Sequence, residues 1–143
     1  MKICVFGAGA VGCEFADVFA AFGTQVSLIE VMPNILPVED TDSSKEVERA
    51  FKKRKIDVLT GAKISNVKVG KSDVSMTVES GGNKTDLKVD VVLVAAGEHQ
   101  QPALERLAGA EEGIARLAGD GDPDRPGGAG DAQAVRAVGR RMP

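Results

Sequence analysis

The stretch that decides the fold is ICVFGAGAVGCE, residues 3–14, followed by VSLIE, residues 26–30. Its first four residues are apolar and predict a short buried strand, and the segment from Val11 to Phe22 has apolar residues at helical spacing. Between them lies a G-x-G-x-x-G loop at residues 7–12. Strand, glycine loop, helix and second strand together predict a βαβ unit of the Rossmann kind, whose glycine loop approaches the pyrophosphate of a dinucleotide.

The acidic residue at the end of the second strand indicates which dinucleotide the loop would bind. Glu30 follows Gly12 by eighteen residues, where a carboxylate accepts hydrogen bonds from the hydroxyls of the adenosine ribose. A carboxylate repels a 2′-phosphate, and Val31-Met32-Pro33 adds no compensating cation. The pattern therefore favours NAD(H) over NADP(H), although FAD would use the same fingerprint.

The residues up to position 97 continue as an α/β domain. Ser43 and Glu46 have capping-box spacing and predict a helix that runs to about Arg54. A third strand follows at residues 56–59. Gly23 is expected to end the first helix in a left-handed conformation.

A period of two from residue 63 to residue 89 predicts an antiparallel β-meander with turns at 70–73 and 80–83. The continuous apolar run at residues 91–96 predicts a strand covered on both faces. The predicted fold class is α/β, a Rossmann-like parallel sheet with an inserted antiparallel β-meander.

Charge and cysteine content exclude several classes of protein. With 18 basic and 21 acidic residues the net charge is −3, which gives no basic field for nucleic acid or a membrane surface. Two cysteines are too few for a disulfide framework or a zinc site. No segment reads as a signal peptide or a membrane span, so we expect a cytoplasmic protein with small soluble partners.

Composition changes abruptly after Gly97. Every lysine precedes this point, and the residues beyond it are rich in Ala, Gly, Arg, Asp and Pro. We therefore predict two regions, a dinucleotide-binding domain at 1–97 and a poorly ordered C-terminal tail at 98–143, with a helix over 102–118 as its one regular element. A parallel sheet that ends at Gly97 would leave the edge of its last strand open.

The segment from Gly7 to Ala16 resembles the NAD-binding domain of pyridine nucleotide-disulfide oxidoreductases, above all dihydrolipoyl dehydrogenases. The resemblance covers residues 1–97. Further matching segments lie in the family's order at 26–30, 35–40, 44–46, 52–53, 60–63 and 92–97. The resemblance implies NAD contacts at Gly7, Ala8, Gly9, Ala10, Val11, Gly12, Cys13, Glu14, Glu30, Ile64 and Gly97.

For the whole enzyme, the resemblance implies oxidation of dihydrolipoamide, with hydride passed through FAD to NAD. It also implies a homodimer associated with 2-oxo acid dehydrogenase complexes, and a place near the nicotinamide for Glu14. FAD and the redox cysteine pair would belong to regions outside this chain, and Cys4 and Cys13 are too far apart to replace that pair. We interpret the chain as an NAD-binding fragment and assign it no catalytic residue.

The resemblance stops at Glu98-His99-Gln100-Gln101, where the family has Arg-x-Pro-Asn. We interpret the tail as the product of a frameshift near Gly97. His99, the single histidine, lies in this tail without a pattern that suggests catalysis.

Two alternative functions remain open, and Cys13 and the acids before the second helix are further candidate site residues. One alternative is a stand-alone regulatory dinucleotide-sensing module, which begins similarly but lacks the meander. The other is a ketopantoate-type NADP reductase, which would have a basic residue in place of Glu30. Cys13 is expected to be a buried small side chain. The acids Glu39, Asp40 and Asp42 could hold a cation, but we favour helix capping for them and assign no metal ligand.

Overall fold

The computed structural model describes residues 1–37, 39–96, 114–116 and 134–139. Its elements in chain order are β1 (Lys2–Phe6), α1 (Ala10–Ala21), β2 (Gln25–Ile29), α2 (Thr41–Lys53), β3 (Asp57–Leu59), β4 (Lys63–Val69), β5 (Val74–Ser80), β6 (Asn83–Val89), β7 (Val91–Ala96), β8 (Ile114–Arg116) and β9 (Ala134–Gly139).

The larger sheet has the strand order β3-β2-β1-β7-β9-β8. Its first four strands are parallel, with β1 between β2 and β7. Parallel strands need crossover connections, and α1 supplies the one between β1 and β2. Gly23 follows α1 with a φ of +82°, as the sequence predicts for a helix end. The predicted Rossmann-like unit is thus confirmed.

The smaller sheet is the predicted meander, in the order β4-β5-β6, and both pairings are antiparallel. Gly81 and Gly82 form the turn between β5 and β6 with φ values of +59° and +79°. Positive φ at both central residues matches the twist of a two-residue hairpin, which explains the glycines there. A register shift between Ser65 and Lys68 marks a bulge in β4.

The two sheets and the helices form three layers, and alternate residues of β1 join different layers. Ile3 and Val5 pack in a cluster with apolar residues of α1 and α2. Cys4 and Phe6 pack in a second cluster with the inner face of the meander. All four side chains are buried because the central strand of a parallel sheet is covered on both faces.

The beginning of α2 differs from the expectation. Ser43 is not the N-cap; the cap is Asp40, whose carboxylate accepts hydrogen bonds from the amides of Asp42 and Ser43 at 3.0 and 3.1 Å. Glu46 pairs with Arg49 one turn further on. An earlier cap adds helical hydrogen bonds, so the structure uses the first of two candidate caps.

Beyond residue 97 the described residues also differ from the expectation. Residues 114–116 form strand β8, so this part of the predicted 102–118 helix is wrong, and residues 134–139 form strand β9, which was not predicted; the predictions for the rest of the tail lie outside the described residues. β9 pairs antiparallel with β7 on one side and with β8 on the other. The edge of β7 is therefore covered, because long-range pairing prevails over the local pattern.

Candidate functional site

The glycine loop lies where β1 ends beside the end of β2. The amide of Gly7 donates to the carbonyl of Ile29 at 2.8 Å, and its φ of +101° turns the chain out of the sheet. Only glycine adopts this conformation readily. In open α/β sheets this edge, at the carboxyl ends of the strands, is where ligands bind.

Gly12 brings α1 against the loop. A Cβ atom at Gly12 would lie 1.7 Å from the carbonyl oxygen of Gly7 and 3.6 Å from the Cβ of Ala95. No side chain fits at the first of these distances. The last glycine of the motif is therefore required by the contact between helix and loop.

The amino end of α1 faces the same region. Its N-cap is Gly9, and among the described residues no side chain caps it. The amides of a first helical turn have no acceptor within the helix and carry the positive end of the helix dipole. Ala10 and Glu14 are exposed there and Val11 is half-buried, so the loop offers an uncapped helix terminus for an anion.

Glu30 contacts the glycine loop directly. Its side chain is 1% exposed, yet its Oε1 accepts from the amide of Ala8 at 3.2 Å and its Oε2 accepts from the amide of Met32 at 3.1 Å. The carboxylate thus joins the glycine loop to the segment after β2. Sequence spacing predicts the acid but does not reveal these two main-chain bonds.

The connection between β2 and α2 contacts the loop from another side. The amide of Leu36 donates to the carbonyl of Ala8 at 2.7 Å, and the hydroxyl of Ser44 donates to the carbonyl of Leu36 at 3.2 Å. Leu36 has a φ of +48°, which is uncommon for a residue with a side chain. Sequence reasoning missed the roles of both Leu36 and Ser44, although each lies in a segment that resembles the family.

The cysteines are buried, as expected for Cys13. Burial, with the nearby charges of Glu30 and Glu14, raises the pKa of Cys13 to about 12. Burial likewise raises the pKa of Cys4 to about 12. Since the thiolate is the reactive form, burial and the raised pKa values oppose nucleophilic reactivity of both thiols.

The remaining predicted residues lie elsewhere in the described structure or outside it. Ile64 is 3% exposed and packs between the two sheets. Gly97 and His99 lie outside the described residues. Asp40 has the capping role favoured from the sequence. In the described part of the chain, no group of three or more His, Cys, Asp or Glu side chains is arranged to hold a metal ion.

These features fit a dinucleotide. Gly9 has no Cβ and is half-buried, Gly12 lets α1 pack against the loop, the end of α1 has no side-chain cap among the described residues, and a buried carboxylate borders the loop. These are the parts that a pyrophosphate and a ribose require. Fold and loop therefore define a Rossmann-type domain.

The sequence model described as pyridine nucleotide-disulphide oxidoreductase matches residues 1–119. The chain belongs to this family. The match extends past residue 97, where the resemblance was expected to end.

Within the described residues, no helix is both long and apolar enough to span a membrane.

Comparison with individual proteins gives the same family. Dihydrolipoyl dehydrogenase of Mycobacterium tuberculosis is 42% identical over 96 residues, 67% of this chain and 21% of that protein. Dihydrolipoyl dehydrogenase of Thermus scotoductus is 32% identical over 115 residues, 79% of this chain and 24% of that protein. The HOCl-induced flavoprotein disulfide reductase of Escherichia coli has a TM-score of 0.57 at 29% identity, over 67% of this chain and 21% of that one. This chain spans about a fifth of the length of such relatives.

Proposed function

We propose that this chain binds NAD(H) and forms the nicotinamide dinucleotide site of a flavin-dependent disulfide oxidoreductase. The observation that carries the proposal is the position of Glu30, whose buried carboxylate is bonded to the amide of Ala8 inside the glycine loop. An acid fixed there accepts from the adenosine ribose hydroxyls and opposes a 2′-phosphate. The resemblance of residues 1–97 to dihydrolipoyl dehydrogenases supports the same cofactor.

Different residues of this chain would bind different parts of NAD(H). The amides at the start of α1, from Gly9 to Gly12, would donate to the pyrophosphate. Glu30 would orient the adenosine ribose, and the exposed Glu14 would face the nicotinamide half. Bound NAD(H) supplies hydride chemistry, and these residues bind and orient it.

The whole enzyme would oxidise dihydrolipoamide, with FAD bound outside this chain. This proposal rests on the similarity to dihydrolipoyl dehydrogenases, one of which is 42% identical over 96 residues. A homodimer associated with 2-oxo acid dehydrogenase complexes and a cytoplasmic location belong to the same proposal. The stand-alone sensing module is not favoured, because the meander and the two dihydrolipoyl dehydrogenase relatives indicate an oxidoreductase.

The boundary at residue 97 and a frameshifted tail also remain proposals. The departure from the family pattern at Glu98-His99-Gln100-Gln101 supports them. Re-sequencing the gene from the codon for Leu93 tests them directly. A confirmed frame with the same tail encoded in other members of the family would refute the frameshift.

The cofactor proposal is tested by titrating the chain with NADH and NADPH and following nicotinamide fluorescence. The protein contains no Trp or Tyr, so little protein emission interferes. We expect at least about tenfold tighter binding of NADH than of NADPH, and about a tenfold or greater loss of NADH affinity in Glu30→Gln, since a hydrogen bond to a charged group contributes about 1.5–3 kcal/mol.

The matched control is Glu39→Gln, which removes the same charge from an exposed position in the same connection. This variant should bind NADH like the unmodified protein. Absence of NADH binding, or equal affinity for both dinucleotides, would overturn the proposal. Equal losses in the Glu30 and Glu39 variants would show a general charge effect rather than ribose recognition.

A further inference from the structure

The main chain at Leu36 makes hydrogen bonds to the glycine loop, to Glu39 in its own connection and to α2. Its amide donates to Ala8 at 2.7 Å, and its carbonyl accepts from the amide of Glu39 at 2.9 Å and from the hydroxyl of Ser44 at 3.2 Å. Its φ of +48° lies in the left-handed region, which a leucine adopts only where its surroundings determine it. The conformation of this residue is therefore set by its partners.

Ser44 is the side-chain partner in this arrangement. It lies in the first turn of α2 and is 2% exposed, so its hydroxyl is removed from water. A buried hydroxyl requires a hydrogen-bond partner, and here it reaches eight residues back to Leu36. The bond joins α2 to the connection that precedes it.

The chain of contacts ends in the glycine loop. The amide of Ala8 donates to Glu30 at 3.2 Å, and the carbonyl of Ala8 accepts from Leu36. The carbonyl of Ala8 also accepts a longer hydrogen bond from the thiol of Cys13 at 3.5 Å, so Ala8 is held by the end of β2, by the connection to α2 and by α1. The orientation of the next peptide group, which includes the amide of Gly9, follows from the orientation of the Ala8 carbonyl.

We propose that Ser44 is a positioning residue of the dinucleotide site. It acts through Leu36 on Ala8 and holds the glycine loop in the conformation whose amides converge on a pyrophosphate. Ser44 itself does not touch the dinucleotide. The inference rests on the proposed binding of NAD(H), and it adds a residue of α2 to a site otherwise formed by β1, α1 and the end of β2.

The test compares NADH affinity in the full chain and in three variants, each shown by urea unfolding to be folded at the assay temperature. Ser44→Ala removes the hydroxyl and should weaken NADH binding about fivefold to tenfold, which is near the most that one hydrogen bond acting through the loop can contribute. Ser44→Thr restores a hydroxyl and should restore the affinity. Ser43→Ala is the matched control, because its exposed hydroxyl bonds, within the described part of the chain, to Asp40 in the cap of α2.

A second measurement follows amide hydrogen exchange of Leu36 without NADH. Exchange at Leu36 should become faster in Ser44→Ala and remain unchanged in Ser43→Ala. Should Ser44→Ala fail to fold, Ser44→Cys makes the same comparison with a weak donor of similar volume.

The outcomes separate the two proposals. If the unmodified chain does not bind NADH, the proposed function and this inference both fail. If the unmodified chain binds NADH and Ser44→Ala binds it equally well, only the inference fails. Equal losses in the Ser43 and Ser44 variants, or a Ser44→Thr protein as weak as Ser44→Ala, would also overturn the positioning role.

Discussion

Gly12 and Gly7 lie so close together that α1 can pack against the glycine loop only because residue 12 has no side chain. An added Cβ at Gly12 would lie 1.7 Å from the Gly7 carbonyl oxygen, which is backbone and has no rotamer that relieves the clash. We expect Gly12→Ala to reduce the free energy of unfolding by about 3 kcal/mol or more, at the upper end of overpacking effects. Urea unfolding followed by far-ultraviolet circular dichroism measures this loss.

Gly23→Ala is the control for this substitution. Gly23 has a φ of +82°, and apart from residue 23 and its two chain neighbours no atom of the described residues lies within 4 Å of the position that a Cβ would occupy, so alanine there meets backbone strain without a clash. Its cost should be about 1–2 kcal/mol. If Gly12→Ala is no more destabilising than Gly23→Ala, the close contact does not determine the identity of residue 12.

At the residue scale the sequence predicts what short-range spacing encodes. The roles of Gly7 and Gly12 and the presence of Glu30 follow from a motif and the strand after it. The bond from Leu36 to Ala8 does not, because it joins segments on either side of a complete helix and strand. Nor does the burial of Ser44, since a serine in a first helical turn is ordinarily exposed.

At the scale of elements, the cap of α2 makes the stability of the protein depend on pH. The hydroxyl and amide of Ser43 hold the pKa of the Asp40 carboxyl below its ordinary value of 3.8. A lowered pKa in the folded state means that the charged cap stabilises α2 above about pH 4. This contribution is lost as the pH falls through the pKa of the folded state.

We therefore expect the Tm of the protein to fall between about pH 5 and pH 3 more steeply than the Tm of Asp40→Asn. Asparagine caps a helix without titrating, so this variant keeps the bonds and loses their pH dependence. Thermal unfolding at several pH values measures the difference. Asp57→Asn, an exposed substitution on β3, should retain the slope of the unmodified protein; an Asp40→Asn slope identical to that of the unmodified protein would contradict the role of the cap.

The elements themselves were largely predictable. The period of two in residues 63–89 and the helical spacing in residues 11–22 reflect burial of one face, and the structure confirms both. The start of α2 was harder, because Asp40 and Ser43 both suit a cap and only the hydrogen bonds of the folded helix choose between them. Residues 114–116 form a strand where the sequence predicted helix. Their pairing with β9 is a long-range contact, which a local sequence pattern does not reveal.

At the scale of the whole molecule, β9 protects an edge of the main sheet. It lies between β7 and β8, so the amide of Ala137 is directed at one of two neighbouring strands. Proline at position 137 removes that amide and should weaken the pairing. An uncovered β7 offers its unpaired backbone groups to another chain, and we expect concentration-dependent self-association.

Sedimentation velocity over a range of concentrations measures this effect. Ala137→Val is the control, because it keeps the amide and adds a side chain that favours strands. It should sediment like the unmodified protein, whereas Ala137→Pro should shift toward larger species. A proline variant with unchanged sedimentation would show that β9 is not needed to cover β7.

The alternation along β1 has a consequence for how this domain can change over evolution. Val5 belongs to the cluster under the helices and Phe6 to the cluster under the meander, and among the described residues the two clusters share none. We therefore expect a substitution in one layer to be compensated mainly by its neighbours in that layer. The helical layer, which holds the glycine loop, can keep its sequence while the meander diverges, or the meander can be redesigned without disturbing the loop.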